Sequence, residues 1–241
     1  MKSPLYLAAI FFFHLCSAQE KITYLSEDGR AVDEKEAAIL QQTLKVNDTL
    51  WEFNFYDMYG PRSISLQCRD EKGTILNGRY IIYSQGGYFD TLGYYSNGVR
   101  EGKWEVGRQQ LIYDHGKLIE KKDSTSEKKQ LIDIESAFPG GPRAWQDYIN
   151  RHLHYPKRAE EKEIQGNIIV DFLIEDNGHI DAGKIYITRS VEYSLDKEAL
   201  RLIQESPKWV PAMEDGRPVK SHTRQPFLFR LTVSGSPPSR R

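Results

Sequence analysis

The alternation of hydrophobic and polar residues divides the chain into two regions that differ in period. Residues 51–118 contain short aromatic runs separated by glycine turns such as Asn97-Gly98, a pattern typical of β-hairpins. After residue 138, stretches with apolar residues three and four positions apart alternate with stretches in which every second residue is apolar. The chain is therefore expected to be α+β, with a β-rich region followed by a mixed region of helices and strands.

An internal repeat is visible within the β-rich region. Residues 73–80 are echoed by residues 98–104, and a turn glycine returns a third time at Gly116. Each unit offers an aromatic strand, a turn, and a Gly-x-aromatic step into the next strand. Consecutive units are therefore expected to stack as an antiparallel β-meander.

The repeat resembles the MORN family, and the matching residues are 94–98 and 102–104. Members of that family are mostly scaffolds and binding surfaces, so the resemblance implies an aromatic binding face. The simpler interpretation, which we favour, is that the aromatic side chains fill the core of the sheet. The residues concerned are Tyr80, Tyr83, Tyr94, Tyr95 and Trp104.

The mixed region predicts five elements in the order helix, strand, strand, helix, strand. Apolar residues at 145–153 form a helical stripe, and residues 167–175 alternate as a strand. A second strand is expected at 184–189, then a helix capped by Ser194, and a last strand at 219–231. Two helices on one face of a three-stranded antiparallel sheet would give an α+β layer.

Pro226 gives the last strand a particular place in this sheet. Proline has no backbone N–H and cannot donate to a ladder, so the strand is expected to lie at an edge or to carry a bulge. An edge strand has unpaired backbone groups on one side. Such groups are the physical requirement for accepting an extended peptide as an additional strand.

The first residues are typical of a secretory signal peptide. Lys2 precedes an apolar run at residues 5–15, and residues 16–18 end in an alanine suited to cleavage before Gln19. The run is shorter than the roughly 20 residues of a membrane-spanning helix. We therefore expect a periplasmic protein exported by a cleavable signal peptide, with inner-membrane anchoring through an uncleaved N-terminus as the alternative. Cys68 would then be the remaining cysteine, and it is expected to be a small core residue.

These patterns together predict the domain organisation. The N-terminal part is expected to hold a signal peptide at 1–18 and a polar segment at 19–50 with a helix at 33–44. The later parts are expected to be a β-repeat region at 51–118, a charged linker at 119–137, the mixed domain at 138–233 and a disordered tail at 234–241.

The mixed region resembles the C-terminal domain of TonB energy-transducing proteins. The matching motifs are Phe138-Pro-Gly-Gly141, Tyr155-Pro156 followed by Ala159, Gly166, Asp176-Asn-Gly178, Leu195-Asp196 with Glu198-Ala-Leu200, Pro207-Lys-Trp209-x-Pro211, Gly216-Arg-Pro218-Val219 and Pro226-Phe227 with Phe229. The resemblance implies a module that pairs its edge strand with the N-terminal peptide, the TonB box, of a TonB-dependent outer-membrane receptor. Typical TonB proteins also have a long N-terminal membrane helix and a Pro-rich spacer, and this sequence shows neither.

The resemblance also implies which residues bind the partner. Tyr155 and Pro156 match the Tyr-Pro contact motif of the family, and Glu160 stands where some members have a contact glutamine. A homodimer is left open as a second mode of association. The implicated edge strand adds Ser221, His222, Thr223, Arg224, Gln225, Phe227 and Phe229.

The composition and the remaining motifs argue against other classes of function. The 33 basic and 34 acidic residues leave a net charge of −1, so nucleic acid is not an expected partner. No His or Cys spacing matches a metal site, and no nucleophile or phosphate-binding motif occurs. We therefore expect no enzyme activity, no cofactor, no metal and no small-molecule substrate.

Two hypotheses follow. The leading one is a periplasmic TonB-like protein-binding module that takes part in outer-membrane receptor-linked transport. The alternative is an envelope scaffold that uses the MORN-like repeats without energy transduction.

Overall fold

The computed structural model describes residues 20–123 and 132–231. The predicted signal peptide, the predicted tail and residues 124–131 of the predicted linker lie outside these ranges. No helix in the two described ranges is both long enough and apolar enough to cross a membrane.

The first described range folds into one antiparallel sheet of nine strands, in which each strand pairs with its neighbours in the chain. Turn residues such as Asn97 and Gly98 have positive φ, the conformation that tight hairpins require. The predicted β-meander is therefore confirmed. Its strands are β1 (Glu20–Leu25), β2 (Ile39–Asn47), β3 (Leu50–Asp57), β4 (Arg62–Cys68), β5 (Leu76–Tyr83), β6 (Phe89–Ser96), β7 (Val99–Val106), β8 (Gln109–Asp114) and β9 (Lys117–Asp123).

The expectation of a helix at 33–44 is wrong. That part of the chain contains a single 3-10 turn at Glu34–Glu36, and the following residues belong to β2. β2 pairs with β1 on one side and with β3 on the other, so both of its backbone edges are satisfied. Pairing with the neighbouring strands β1 and β3 thus outweighs the helical spacing of the local apolar residues.

The second described range contains three helices and two small sheets. The larger sheet is antiparallel with the strand order β11-β10-β14. The predicted order of helix, strand, strand, helix, strand is confirmed, with one short helix and one hairpin in addition. The elements are α1 (Gly141–His152), α2 (Lys157–Glu161), β10 (Gly166–Ile174), β11 (Ile180–Arg189), α3 (Tyr193–Gln204), β12 (Ala212–Glu214), β13 (Arg217–Val219) and β14 (Ser221–Phe229).

The start of α3 differs in one detail from the expected cap. Glu192, rather than Ser194, occupies the N-cap position. Its carboxylate accepts hydrogen bonds from the backbone N–H groups of Ser194, at 2.8 Å, and Leu195, at 3.4 Å. A carboxylate at this position satisfies free N–H groups and interacts favourably with the positive end of the helix dipole.

The two described ranges share one hydrophobic core. Leu195 and Leu202 of α3 are fully buried in the same cluster as Phe172 of β10. Ile81 and Tyr83 of β5 belong to this cluster as well, although they come from the nine-stranded sheet. The inner face of that sheet at β5 therefore packs against the C-terminal region instead of facing solvent.

Polar contacts fix how the two regions meet, and we call the residues Arg62, Gly87, Ser190 and Asp196 the junction. The backbone N–H of Arg62 donates to Ser190 Oγ at 2.8 Å, and Ser190 Oγ donates to Asp196 Oδ2 at 2.6 Å. The N–H of Ser190 in turn donates to the carbonyl of Gly87 at 2.8 Å. The loop between β5 and β6 is thus held against the end of β11.

Gly87 is expected to be required for this close approach. Its φ is +78°, and a Cβ at this position would lie 2.1 Å from the carbonyl oxygen of Ser190. Gly87→Ala should lower the free energy of unfolding by about 2 kcal/mol or more, because it adds both backbone strain and a clash with backbone. Urea denaturation measures this change.

The adjacent glycine provides a matched control. A Cβ on Gly86 would make only ordinary contacts of 3.6 Å or more, and this residue has no positive φ. Gly86→Ala should change the stability by roughly 0.5 kcal/mol or less. Equal effects of the two substitutions would contradict the junction described above.

The junction also predicts a dependence of stability on pH. Burial raises the pKa of the Asp196 carboxyl to about 6, although Arg62 and Ser190 favour its ionised form. Between the usual pKa of such a carboxyl, about 4, and this raised pKa, the folded state keeps the Asp196 proton, whereas the unfolded state has already released it. The stabilisation from this proton is complete below pH 4 and is lost as the pH rises from about 4 to about 6. Relative to Asp196→Asn, the wild-type free energy of unfolding should fall by roughly 1–3 kcal/mol across this window. Urea denaturation of both proteins at several pH values measures it, and a constant difference would show that folding does not raise the pKa of Asp196.

Candidate functional site

β14 lies at one edge of the three-stranded sheet. Its register with β10 runs without a shift over nine residue pairs, from Gly166 opposite Phe229 to Ile174 opposite Ser221. Among the residues that the structure describes, nothing forms a backbone hydrogen bond with the other side of β14. The edge strand expected from Pro226 is therefore present, and its outer side is open.

Pro226 indicates which backbone groups face this open edge. Because it lacks an N–H and its pairing with β10 is regular, its nitrogen is expected to face away from β10. Backbone groups alternate in direction along a strand, so Arg224 and the other even-numbered residues are expected to present their N–H and C=O groups to the open edge. Leu231 is odd-numbered, so its N–H is expected to face β10. It donates at 3.0 Å to the side chain of Gln165, just before β10, which agrees with this assignment.

One row of β14 side chains faces the interior. It contains Ser221, Thr223, Gln225, Phe227 and Phe229, and the two phenylalanines are only 2% and 1% exposed. The rings of these phenylalanines belong to the core. At these two positions only the backbone is available to a partner.

The other row faces outward and has a polar half and an apolar half. His222 Nδ1 lies 2.8 Å from Asp171 Oδ1, and Arg224 Nε donates to Asp171 Oδ2 at 3.3 Å. Further along the strand, Pro226 is exposed and Leu228 is 54% exposed. The row therefore offers two different environments to the side chains of an added strand.

The opposite edge of the same sheet is closed. Arg79 of β5 donates to the carbonyl of Ile185 at 3.1 Å, and the hydroxyl of Tyr83 donates to the carbonyl of Ile187 at 2.9 Å. An antiparallel bridge between Tyr88 and Arg189 continues this contact towards the end of β11. β11 is thus not free to accept a further strand along this stretch.

The predicted contact residues near α2 are only partly brought together with β14. Tyr155 packs edge-on against Phe229, with ring centroids 5.8 Å apart, and its hydroxyl donates to the carbonyl of Ile164. Pro156 instead lines a cleft against the nine-stranded sheet. Glu160 is exposed on α2. Of the three, Tyr155 is the residue that contacts a residue of the edge strand.

Sequence reasoning missed the residues that close and support the sheet. Arg79 carries no local signal for this role, because the carbonyl of Ile185 that it binds lies more than 100 positions away in the chain. Asp171 lies in β10, a strand that is predicted from its apolar residues alone. The alternation of that strand does place Asp171 on the face opposite Val170 and Phe172, which is the available clue.

Other reactive groups are accounted for by packing or pairing. Cys68 is a fully buried free cysteine, and burial raises the pKa of its thiol to about 11. Glu101, Asp114 and His115 cluster on an exposed turn, where the His115 ring lies 2.6 Å from the Asp114 carboxylate.

The aromatic residues of the repeats mainly contact one another. Trp104 is 1% exposed and packs edge-on against Tyr95 and Tyr113. A Cβ on Gly93 would lie 2.1 Å from the Trp104 ring, so this glycine makes room for the indole. This packing agrees with the interpretation that the aromatic residues fill the sheet, and the resemblance to MORN repeats stays a prediction.

Residues 151–231 match the model of the Gram-negative bacterial TonB protein C-terminal family. Residues 151–231 form a TonB C-terminal domain. The match covers about one third of the chain and includes both the open strand β14 and the closed strand β11. Neither the curated proteins nor the solved structures contain a match to this chain. TonB C-terminal domains are non-enzymatic interaction domains, so the match supports a role of this domain in receptor-linked transport.

Proposed function

We propose that this chain is an exported periplasmic module whose TonB C-terminal domain binds the N-terminal peptide of an outer-membrane receptor by adding it as a strand to β14. The observation that carries the proposal is the contrast between the open edge at β14 and the closed edge at β11. In strand addition, main-chain hydrogen bonds give affinity and alternate side chains give specificity. Because β14 is the open edge of this three-stranded sheet, a peptide that adds to the sheet would pair there.

The outward row of β14 supports a preference for certain peptide side chains. An acidic residue next to Arg224 would form an opposite-charge cross-strand pair, worth roughly 0.2–1 kcal/mol. An apolar residue next to Leu228, which is 54% exposed, would remove apolar surface from water. Because these two positions are four residues apart, the favoured peptide has an acidic and an apolar residue at the same spacing.

The proposal predicts that a proline at Arg224 blocks peptide binding. Arg224→Pro removes an N–H group expected to face the open edge and leaves the ladder to β10 intact. Binding of a synthetic peptide copied from the N-terminus of an outer-membrane receptor should weaken about tenfold or more, since one main-chain hydrogen bond is lost. Fluorescence anisotropy with the full chain measures this affinity.

Arg224→Thr is the matched control, because it removes the guanidinium but keeps the backbone N–H. It should bind the peptide within about threefold of wild type, since an exposed charge pair contributes little. Thr223→Pro is expected instead to remove a donor to β10 and to lower the thermal stability of the domain. If Arg224→Pro does not fold, Leu228→Pro tests the same edge. A folded proline variant that binds the peptide as tightly as wild type would refute strand addition at β14.

Deletion of the repeats is not a clean test of the scaffold hypothesis, because it also disturbs the C-terminal region. Removing residues 51–118 would also remove Arg79 and Tyr83, and it would therefore open the β11 edge and expose the shared core. A surface substitution in the repeats, such as Leu118→Lys at a 45% exposed position, avoids this problem. Loss of receptor association in Leu118→Lys, with Arg224→Pro unaffected, would favour the scaffold over the edge strand.

A further inference from the structure

A pocket of about 360 Å³ lies between the nine-stranded sheet and the outward face of the three-stranded sheet. One wall is formed by residues of β6 and β7, and the other by residues of β10, β11 and β14. The volume is at the lower end of the range for ligand sites, roughly 300–1,000 Å³. The pocket therefore suits one large side chain better than a free ligand.

The pocket reaches the open edge at β14. His222 is the β14 residue that lines it, and the side chain of His222 is 54% exposed. A strand added to β14 would lie about 4.8 Å beyond His222, and its residue opposite His222 would direct a side chain to the same face of the sheet. One side chain of a bound peptide would thus stand at the mouth of the pocket.

The pocket contains a cation without a counter-ion. Lys184 is half-buried and makes no ion pair with any residue that the structure describes, and its Nζ lies 5.3 Å from the centre of the Tyr94 ring. The other two charged residues of the lining, Lys103 and Glu105, lie 3.2 Å apart and neutralise each other. The net positive charge from Lys184 therefore favours a carboxylate in this pocket.

The rest of the lining suits a side chain with an apolar stem. Leu92 and Leu173 line the pocket beside the rings of Tyr94 and Tyr186. Burial and, to a smaller extent, the Asp171 carboxylate raise the pKa of Tyr186 well above its usual range, so its hydroxyl adds no negative charge. Methylene groups can pack against such walls while a charged head group pairs at the far end.

The distance across the sheet selects the length of that side chain. Leu173 is opposite His222, and Lys184 precedes Ile185, which is opposite Phe172, so Lys184 lies two strands from His222. A peptide on β14 would lie three strands from Lys184, about 14 Å away. Extended side chains of lysine and glutamate span about 6 and about 5 Å, which leaves about 3 Å, the length of a hydrogen bond. Aspartate, one methylene shorter, would not reach.

From these observations we infer that the pocket receives a glutamate side chain of the bound receptor peptide, and that Lys184 is the residue that selects it. The glutamate stem packs between the rings of Tyr94 and Tyr186, and its carboxylate pairs with Lys184 Nζ. The inference rests on the strand addition proposed above, because the glutamate belongs to the peptide at β14. The nine-stranded sheet then takes part in recognition as well as in closing the β11 edge.

The test uses the receptor peptide of the Arg224→Pro experiment and the full chain. Each peptide position is replaced in turn by glutamate, aspartate and glutamine, and fluorescence anisotropy gives the affinities. At one position glutamate should bind about fivefold more tightly than glutamine, the upper end for a partly exposed ion pair, and aspartate should bind no better than glutamine. This position should lie two residues from the one that faces Arg224, where both acidic residues are favoured.

Lys184→Gln and Lys35→Gln provide a matched pair of variants. Lys184→Gln should remove the preference for glutamate and leave the affinity for the glutamine peptide within about twofold of wild type, since main-chain pairing is unchanged. Lys35 is exposed on the 3-10 turn between β1 and β2, away from the pocket, and its replacement removes the same charge. Lys35→Gln should keep the preference. Arg224→Thr should also keep it and lose only the acidic preference two residues away.

The outcomes separate this inference from strand addition itself. If Arg224→Pro weakens binding but the preference for glutamate is missing, or persists in Lys184→Gln, the role of the pocket is wrong and strand addition stands. Tighter binding of methionine than of glutamate at the same position would also overturn it, because the pocket would then be an apolar site. If Arg224→Pro binds as tightly as wild type, both proposals fail.

Discussion

The constraint on which the rest of the structure depends is the satisfaction of backbone groups at the two edges of a three-stranded sheet. Two of the three strands in this sheet are edge strands, and each presents unpaired N–H and C=O groups on one side. At β11 these groups are bound by the side chains of Arg79 and Tyr83 and by the loop at Gly87. At β14 they are left open. The nine-stranded sheet thus determines which edge of its neighbour stays open.

Arg79 can close the β11 edge because its other contacts hold the guanidinium in place. Glu52 lies 3.0 Å from Arg79 Nη2, and Glu52 also accepts a hydrogen bond from Gln67 at 3.0 Å. Burial raises the pKa of Glu52, but the charges of Arg79 and Arg62 outweigh this effect, so the net pKa is lowered and the carboxylate stays ionised. A buried pair of this kind gives little net stability by itself. Its effect is to orient a donor towards the carbonyls of the adjacent domain.

Most of the fold of each region could be predicted from local patterns, whereas the contact between them could not. Residues such as Asn97-Gly98 mark hairpins, the period of α3 marks a helix, and Pro226 limits its strand to an edge or a bulge. These signals depend on neighbours in sequence. The contact from Tyr83 to Ile187 joins residues more than 100 positions apart and leaves no periodic trace. The expected helix at 33–44 failed for a different reason, since β2 is determined by its pairing with the neighbouring strands β1 and β3 and not by the spacing of its own apolar residues.

The contrast between β14 and the protected edge strands β1, β9 and β11 is the strongest structural reason to regard β14 as a candidate binding strand. In the described ranges the nine-stranded sheet ends at β9, which carries three lysines, and at β1, whose last residue, Leu25, is bridged by Ala31 as the chain folds back. Both devices, like the side chains that cover β11, discourage pairing with another chain. β14 has nine residues in regular register with β10 and no bulge, which makes it a good template. Only Pro226 interrupts its row of donors. A regular open edge favours aggregation, so the contrast between β14 and the three protected edges supports the proposal that β14 pairs with a partner strand.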